Sequence, residues 1–284
     1  MNVAVITFVY NESVNLPIWL KYFGANFGAR NLYVVDRESN DGSTADLGDA
    51  NRILLPRTKF DEHRKTGLLT SLHRSLLHEF DAVIYTDCDE VIVPDPAIYG
   101  SLAEYVSKMS GDYVGCVGLN IHHVISREPP LDLGRPVLSQ RKYARFMSAT
   151  CKTLISRTPI NWLPGFHSCD KPPRIDPDLY LIHLKFMDYG IGMARQKVNL
   201  DTAWSERSLN ENFGAHHRYG YERFVREGFL DAVNMVTNSV LDPFDFAGRI
   251  QEIVSGTEER DGFHHIPMGL TSWVEIPDRF SATV

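Results

Sequence analysis

Short, continuously apolar runs alternate with longer stretches of helical period along the N-terminal third of the chain. Val3 to Tyr10 (VAVITFVY) is β-branched and aromatic and too short for a core helix, so it predicts a buried strand. After Asn11-Glu12-Ser13, the residues Leu16, Trp19, Leu20, Phe23 and Phe27 recur on one face of a 3.6-residue period. Asn15 is placed to cap that helix, and Pro17 suits its first turn. Leu32–Val35, ending in Asp36, and Arg52–Leu55, ending at Pro56, predict two more strands. Leu68, Leu69, Leu72, Leu76 and Leu77 mark a second amphipathic helix, and Ala82–Thr86, ending in Asp87, a fourth strand. Strands this apolar are buried on both faces, which predicts an α/β fold with a parallel sheet covered by helices.

Beyond residue 110 the pattern loosens. Tyr113–Leu119, Lys152–Ser156 and Leu179–Phe186 read as strands, with breaks at Pro129-Pro130 and Pro172-Pro173. From 191 the spacing becomes helical and more polar, with Phe224, Val225, Phe229, Val233 and Val236 on one helix and Phe246, Ile250, Ile253 and Val254 on another. The expected division is a sheet domain over 1–190 and a helical extension over 191–284 packed on it.

Composition narrows the classes. The 284 residues carry a net charge of −7, which argues against a dedicated nucleic-acid binder. The four cysteines form no C-x-x-C pair, so a zinc knuckle is not expected and free thiols in a reducing compartment are. No apolar run approaches the roughly 20 residues of a membrane span, and the first has no basic flank, so the expected location is cytoplasmic. Between Leu133 and Cys169 there is no acidic residue but six basic ones: Arg135, Arg141, Lys142, Arg145, Lys152 and Arg157. Such segregation can create a positive field for a diphosphate, an anionic acceptor or a membrane surface at which the protein docks peripherally.

Ligands on open α/β sheets bind beyond the carboxyl ends of the strands. Here those ends carry Asn11 and Glu12, then Asp36, then Asp87 and Asp89. Asp87-Cys88-Asp89 after a buried strand offers oxygen ligands suited to Mg²⁺ or Mn²⁺. The same residues fit D-x-D-x-[TV] of aspartate-nucleophile phosphatases, as in the haloacid dehalogenase superfamily. There the motif sits on the first strand and a later acidic pair follows. This motif is on the fourth strand, and the chain has no Asp-Asp pair. Adjacent histidines (His122-His123, His216-His217, His264-His265) would point to opposite faces of a strand, which excludes joint chelation there. Gly190-Ile-Gly192 misses G-x-G-x-x-G because Arg195 stands at the third glycine.

Three pieces in this order resemble the family-2-like glycosyltransferases of GT-A fold. They are V-x-x-F-V-Y-N-E at 5–12, the strand and loop from Tyr33 through Asp36 to Asp41-Gly42-Ser43, and Asp87-Cys88-Asp89. The resemblance covers about the first 95 residues. A looser likeness, at Tyr180–Tyr189 with His183 and Lys185, is to a strand near the end of the catalytic domain. It implies a Rossmann-like, mostly parallel sheet with helices on both faces and a divalent-metal-dependent, inverting sugar transfer from a nucleoside-diphosphate sugar to a glycan, lipid-linked or other hydroxyl acceptor. It implies that Tyr10, Asn11, Glu12 and Asp36 contact the donor nucleoside, that Asp41 holds base and ribose through its loop, and that Asp87 reaches ribose or a metal-bound water. Asp89 would ligate Mn²⁺ or Mg²⁺, with Asp87 and His183 as further candidates. Inverting transfer needs a base. The family's Glu-Asp motif is missing, which leaves Asp170 or His167 in Trp162–Asp170. A phosphatase, or a non-catalytic sugar-nucleotide or glycan-binding module, are the alternatives.

Overall fold

The computed structural model describes residues 1–284. The chain opens with β1 (Val3–Val9), α1 (Asn15–Phe27), β2 (Leu32–Asp36), β3 (Asn51–Leu54), α2 (Glu62–Leu76) and β4 (Ala82–Tyr85). Those four strands are parallel, in the order β3-β2-β1-β4. β1 and β4 are buried along almost their whole length, as their unbroken apolar sequences require. Asn15, expected as a cap, is instead the first helical residue, and its side-chain amide donates to Glu12 Oε2 (3.0 Å). The helix starts early because Leu16 N–H already reaches the Glu12 carbonyl (3.1 Å). α2 is capped by Asp61, whose carboxylate accepts from Arg64 N–H (3.0 Å).

The second half of the sheet is mixed. β5 (Glu90–Pro94) follows the acidic turn at once, then α3 (Leu102–Lys108), β6 (Tyr113–His122), β7 (Tyr143–Met147), β8 (Thr153–Ser156), the two-residue β9 (Ser168–Cys169) and β10 (Ile175–Phe186). β8 joins β4 antiparallel and carries the sheet on to β6 and β7. The other edge of β6 takes β10 in parallel, and β10 pairs antiparallel with β5. That last pairing sets His183 opposite Glu90, and β6 sets Asn120 beside His183. The helix-covered α/β sheet predicted by the apolar runs is thus present, with its parallel strands at the N-terminal side.

The stretch 191–284 is not wholly helical. α4 (Tyr189–Leu200), α5 (Glu206–Asn210), α6 (Tyr221–Val225), α7 (Asp231–Asn238) and α8 (Ala247–Ser255) are followed by β11 (Glu258–Arg260), β12 (Phe263–His265) and β13 (Thr271–Glu275). β12 pairs with β9 in a small second sheet, and β13 extends the main sheet beside β7. In β13, Val274 lies in the main core while Trp273 packs with Val124, Ala232 and Val236 on the other face. A strand covered on both faces shows no polar alternation, and polar residues interrupt this one (TSWVE) and leave no continuous apolar run. Phe246, Ile253, Ile276 and Phe280 share one core with β1 and β6. All four cysteines are free and buried. No helix is long and apolar enough to cross a membrane.

Candidate functional site

A cavity of about 390 Å³ lies beyond the carboxyl ends of β1 and β4. Its wall includes Tyr10, Glu12, Asp87, Asp89, His167 and His183 among the residues singled out in the sequence. Asn11, Asp36, Asp41 and Asp170 are not part of that wall.

The two aspartates of the β4–β5 turn have different partners. Asp87 accepts from Lys65 Nζ (2.7 Å) and from the Tyr85 hydroxyl (2.5 Å), and Lys152 Nζ lies 3.4 Å from its other oxygen. Burial opposes its charge, but Lys65 and Lys152 outweigh burial and hold the carboxyl well below its usual range. Lys152 also binds Glu90 (2.6 Å) in a buried pair. Asp89 Oδ2 instead lies 3.2 Å from His183 Nε2, which likewise overrides burial and lowers that carboxyl. His183 Nδ1 donates to Asn120 Oδ1, while the Asn120 amide N–H₂ turns to Met147 Sδ (2.7 Å). The Nδ1–H bond to Asn120 fixes the ring so that its Nε2–H donates to Asp89, and release of that Nε2 proton would free the lone pair for a metal ion with the ring already oriented.

A divalent cation fits this pair. Two cis ligands of an octahedral ion with bonds of about 2.1 Å stand about 3.0 Å apart, close to the observed 3.2 Å. The chain brings no three potential ligand side chains together. Asp89 and His183 converge, and Asp87 is drawn to the lysines. Ions of this class are often held by one or two protein groups with substrate phosphates completing the shell.

At the end of β1, Asn11 takes a left-handed conformation (φ 54°), which asparagine tolerates. Its N–H donates to Ser39 Oγ (3.0 Å), and its side chain exchanges hydrogen bonds with Asn40. Arg57 lies over the Tyr10 ring (4.1 Å). Glu12 pairs with Arg195 of α4 (2.6 Å), which also donates to the Tyr10 and Asn11 carbonyls. Burial nevertheless pushes the Glu12 carboxyl up to about 7 against the pull of Arg195. Asp36 is fully buried. It accepts from Ser39 N–H (2.9 Å), Thr44 Oγ1 (2.8 Å) and Arg52 Nε (2.9 Å), which together pin the loop after β2. Asp41 is exposed and accepts from the backbone and hydroxyl of Ser43.

Of the two candidate bases, only His167 reaches the cavity. Its Nδ1 donates to the Ala149 carbonyl, which leaves the Nε2 lone pair free. Burial, reinforced by Lys152, pushes it down to about 4. Gly165 precedes it at φ 84°, where a Cβ would press on the imidazole at 2.8 Å. Asp170 is spent on Asn161, accepting from its N–H (3.0 Å) and its side-chain amide (2.6 Å).

The basic stretch gives no single positive face. Arg141 is fully buried against Asp188 (3.2 Å), Lys152 is buried against Glu90, Arg145 lines the cavity and Lys142 pairs with Asp278. Lys65, Lys152 and Arg195 were not singled out as site residues in the sequence. Each reaches its carboxylate across 22, 65 and 183 residues of chain, and only the register of distant elements reveals that. The local signs were Lys152 within the acid-free basic stretch and Arg195 at the place of a third glycine.

No protein-family model matches the chain, and no curated protein matches it. Among solved structures, similar chains include a mannosyltransferase from Pyrobaculum calidifontis in complex with GDP-Man and Mn²⁺ (19% identity, TM-score 0.27). Others are a cytidylyltransferase from Leptospira borgpetersenii (11%, 0.27) and a protein described as mannose-1-phosphate geranyltransferase from Thermus thermophilus (10%, 0.31). The matches cover 49%, 40% and 56% of this chain and only 40%, 53% and 51% of those chains.

Proposed function

We propose that the protein is a glycosyltransferase of GT-A type, moving a sugar from a nucleoside diphosphate to a hydroxyl acceptor with inversion. The observation that carries the reading is the Asp89–His183 pair, oriented by Asn120, in a cavity beyond the ends of β1 and β4. Tyr10 and Glu12 would meet the nucleoside, with Asn11, Asp36 and Asp41 shaping the loop behind them. Asp89 and His183 would hold Mn²⁺ or Mg²⁺, which when bound neutralises charge on a departing diphosphate. Lys65 and Lys152 add fixed positive charge on the same side.

His167 accepts the acceptor's proton at Nε2. Its basicity is held down by burial and by the neighbouring lysines. A bound diphosphate offsets the lysine charge, so donor binding raises the base toward working pH. The acceptor in this reading is a glycan, lipid-linked or other hydroxyl. The aspartate-nucleophile phosphatase would need a free Asp87 oxygen, and Lys65, Lys152 and Tyr85 engage both.

Calorimetric titration with UDP-, GDP- and dTDP-sugars, with and without Mn²⁺, tests this reading. One donor class should bind, more tightly with Mn²⁺. Absence of binding by all of them refutes it. His167→Gln should lower donor turnover about 100-fold without loosening the donor; full turnover would remove His167 as the base, and donor binding with no turnover in the wild type itself would leave a binding module.

A further inference from the structure

One wall of the cavity uses none of the residues assigned above. It is built from the start of α2, the loop after α4 and the 3₁₀ turn at Ala215–Arg218. Glu62, Trp204 and His217 line the cavity there, and each keeps a buried polar atom with no partner in the protein: Glu62 Oε2, Trp204 Nε1 and His217 Nδ1. Glu62 is only 5% exposed. A buried polar group left unpaired costs about 1–3 kcal/mol, so three on one wall mark a place where a ligand supplies the partners.

Their positions are fixed. Phe60 N–H donates to the Ala203 carbonyl (2.7 Å) and Ser205 N–H to the Phe60 carbonyl (2.8 Å), which locks the Trp204 segment to the start of α2. Glu62 N–H donates to Ser208 Oγ (3.0 Å), and Gln196 holds the carbonyls of His217 (3.1 Å) and Tyr219 (2.7 Å). Trp204 stands edge-on to Phe60 (4.7 Å) and nearly parallel to His217 (6.1 Å, 28°). Gly214 is left-handed (φ 63°), and a Cβ there would run into the Trp204 ring.

We propose that Glu62, Trp204 and His217 form a subsite for a neutral sugar ring, binding its hydroxyls through these three atoms, with the Trp204 ring packed by Arg218 (4.8 Å) and His217 (6.1 Å). The identification follows from the chemistry of the wall. A carboxylate acceptor, an indole donor and an imidazole nitrogen satisfy vicinal hydroxyls, each of which both gives and takes a hydrogen bond. Burial with Lys185 and Lys65 nearby keeps His217 neutral, so Nδ1 serves either role according to its tautomer. Glu62 offers a phosphate no positive charge, and burial raises its carboxyl against the pull of Lys65. Glu12 and its partner Arg195 are assigned to the nucleoside, whereas Glu62, Trp204 and His217 line the same cavity without a part in holding the donor. The ring bound here is therefore the acceptor's, an assignment that rests on the glycosyltransferase reading.

Saturation-transfer NMR with the methyl glycosides of glucose, galactose, mannose and N-acetylglucosamine tests the subsite directly. At least one should bind the wild type. Glu62→Gln should weaken that glycoside about 10-fold and Trp204→Phe, which keeps a ring but loses the N–H, about 5-fold, with folding of both checked by thermal melting. Binding of no glycoside in the panel, or unchanged affinity in both variants, overturns the proposal. So does parallel loss of nucleotide affinity in Glu62→Gln, which would assign the wall to a nucleobase. The donor titration on the wild type fails separately: glycoside binding without nucleotide binding keeps the subsite and removes the transferase reading.

Discussion

Parallel strands β2 and β4 flank β1, and the aspartates at the end of the one and in the turn after the other differ in what their carboxylates have left to give. Asp36 is fully buried, and its oxygens are taken by Ser39, Thr44 and Arg52. Asp89, just past β4, is part of the cavity wall and faces a single imidazole. A strand end is therefore a place where function can be put, and free acceptor capacity decides whether it is there. The sharpest break in this contrast comes from exchanging the consequences of substitution. Asp89→Ala should cost at least about 100-fold in metal-dependent donor turnover and, with one imidazole partner where Asp36 has three donors, lower the melting temperature less than Asp36→Ala does. Equal turnover by a turnover assay in Mn²⁺ would remove Asp89 from the site.

Asp36→Ala should act the other way. Arg52 and Thr44 lose their acceptor, and the loop carrying Ser39 and Ser43 loosens, for a loss of about 2–4 kcal/mol of stability in urea unfolding. Hydrogen bonds from Ser39, Arg52 and Thr44 outweigh burial and lower the Asp36 carboxyl below its ordinary value. Its contribution is therefore complete above the unfolded value, about pH 3.9, and fades as pH falls through the folded one. The gap between wild type and variant should narrow in acid. A gap that is constant down to low pH would show that Asp36 acts by packing alone.

Glu12 stands between these cases, because it is buried and partnered and still lines the cavity. Its carboxyl is raised to about 7. The folded state then binds that proton more tightly than the unfolded chain, so this group's contribution to stability falls as pH rises from about 4.5 toward 7. Donor affinity should move oppositely and rise through the same window, by at most about tenfold per pH unit, as the carboxylate becomes able to accept from the nucleoside. Glu12→Gln should flatten both profiles. Parallel movement of stability and affinity would mean that Glu12 only holds Arg195.

What could be read from the sequence follows the same line. β1, β2, β4, α1 and α2 declare themselves because their apolar periods are local, and Asp87-Cys88-Asp89 stands out at the end of one of them. β5 was hidden because its apolar run starts on the acidic turn itself, and β7 (YARFM) and β13 (TSWVE) because polar residues interrupt them and leave no continuous apolar run. Asp36 and Asp89 look alike in sequence; Arg52, Thr44 and His183, which distinguish them, are contributed by register. His167 and Asp170 sat in one loop, and only the bond from Asn161 showed that Asp170 was already engaged.

Asp41 gives the smallest effect and tests how far the loop after β2 matters at all. Its carboxylate is exposed and accepts from Ser43 N–H (2.9 Å) and the Ser43 hydroxyl. That hydroxyl in turn accepts from Glu12 N–H (3.3 Å), so Asp41 can influence the cavity only by orienting Ser43. An exposed turn of this kind contributes at most about 0.5 kcal/mol to stability. Asp41→Ala should leave unfolding essentially unaltered and weaken the donor about 2- to 3-fold, with Ser43→Ala matching it because both remove the same support from Glu12. A loss above tenfold in Asp41→Ala but not in Ser43→Ala would mean that Asp41 touches the donor itself, and would move the boundary of the site from the end of β1 out to the loop.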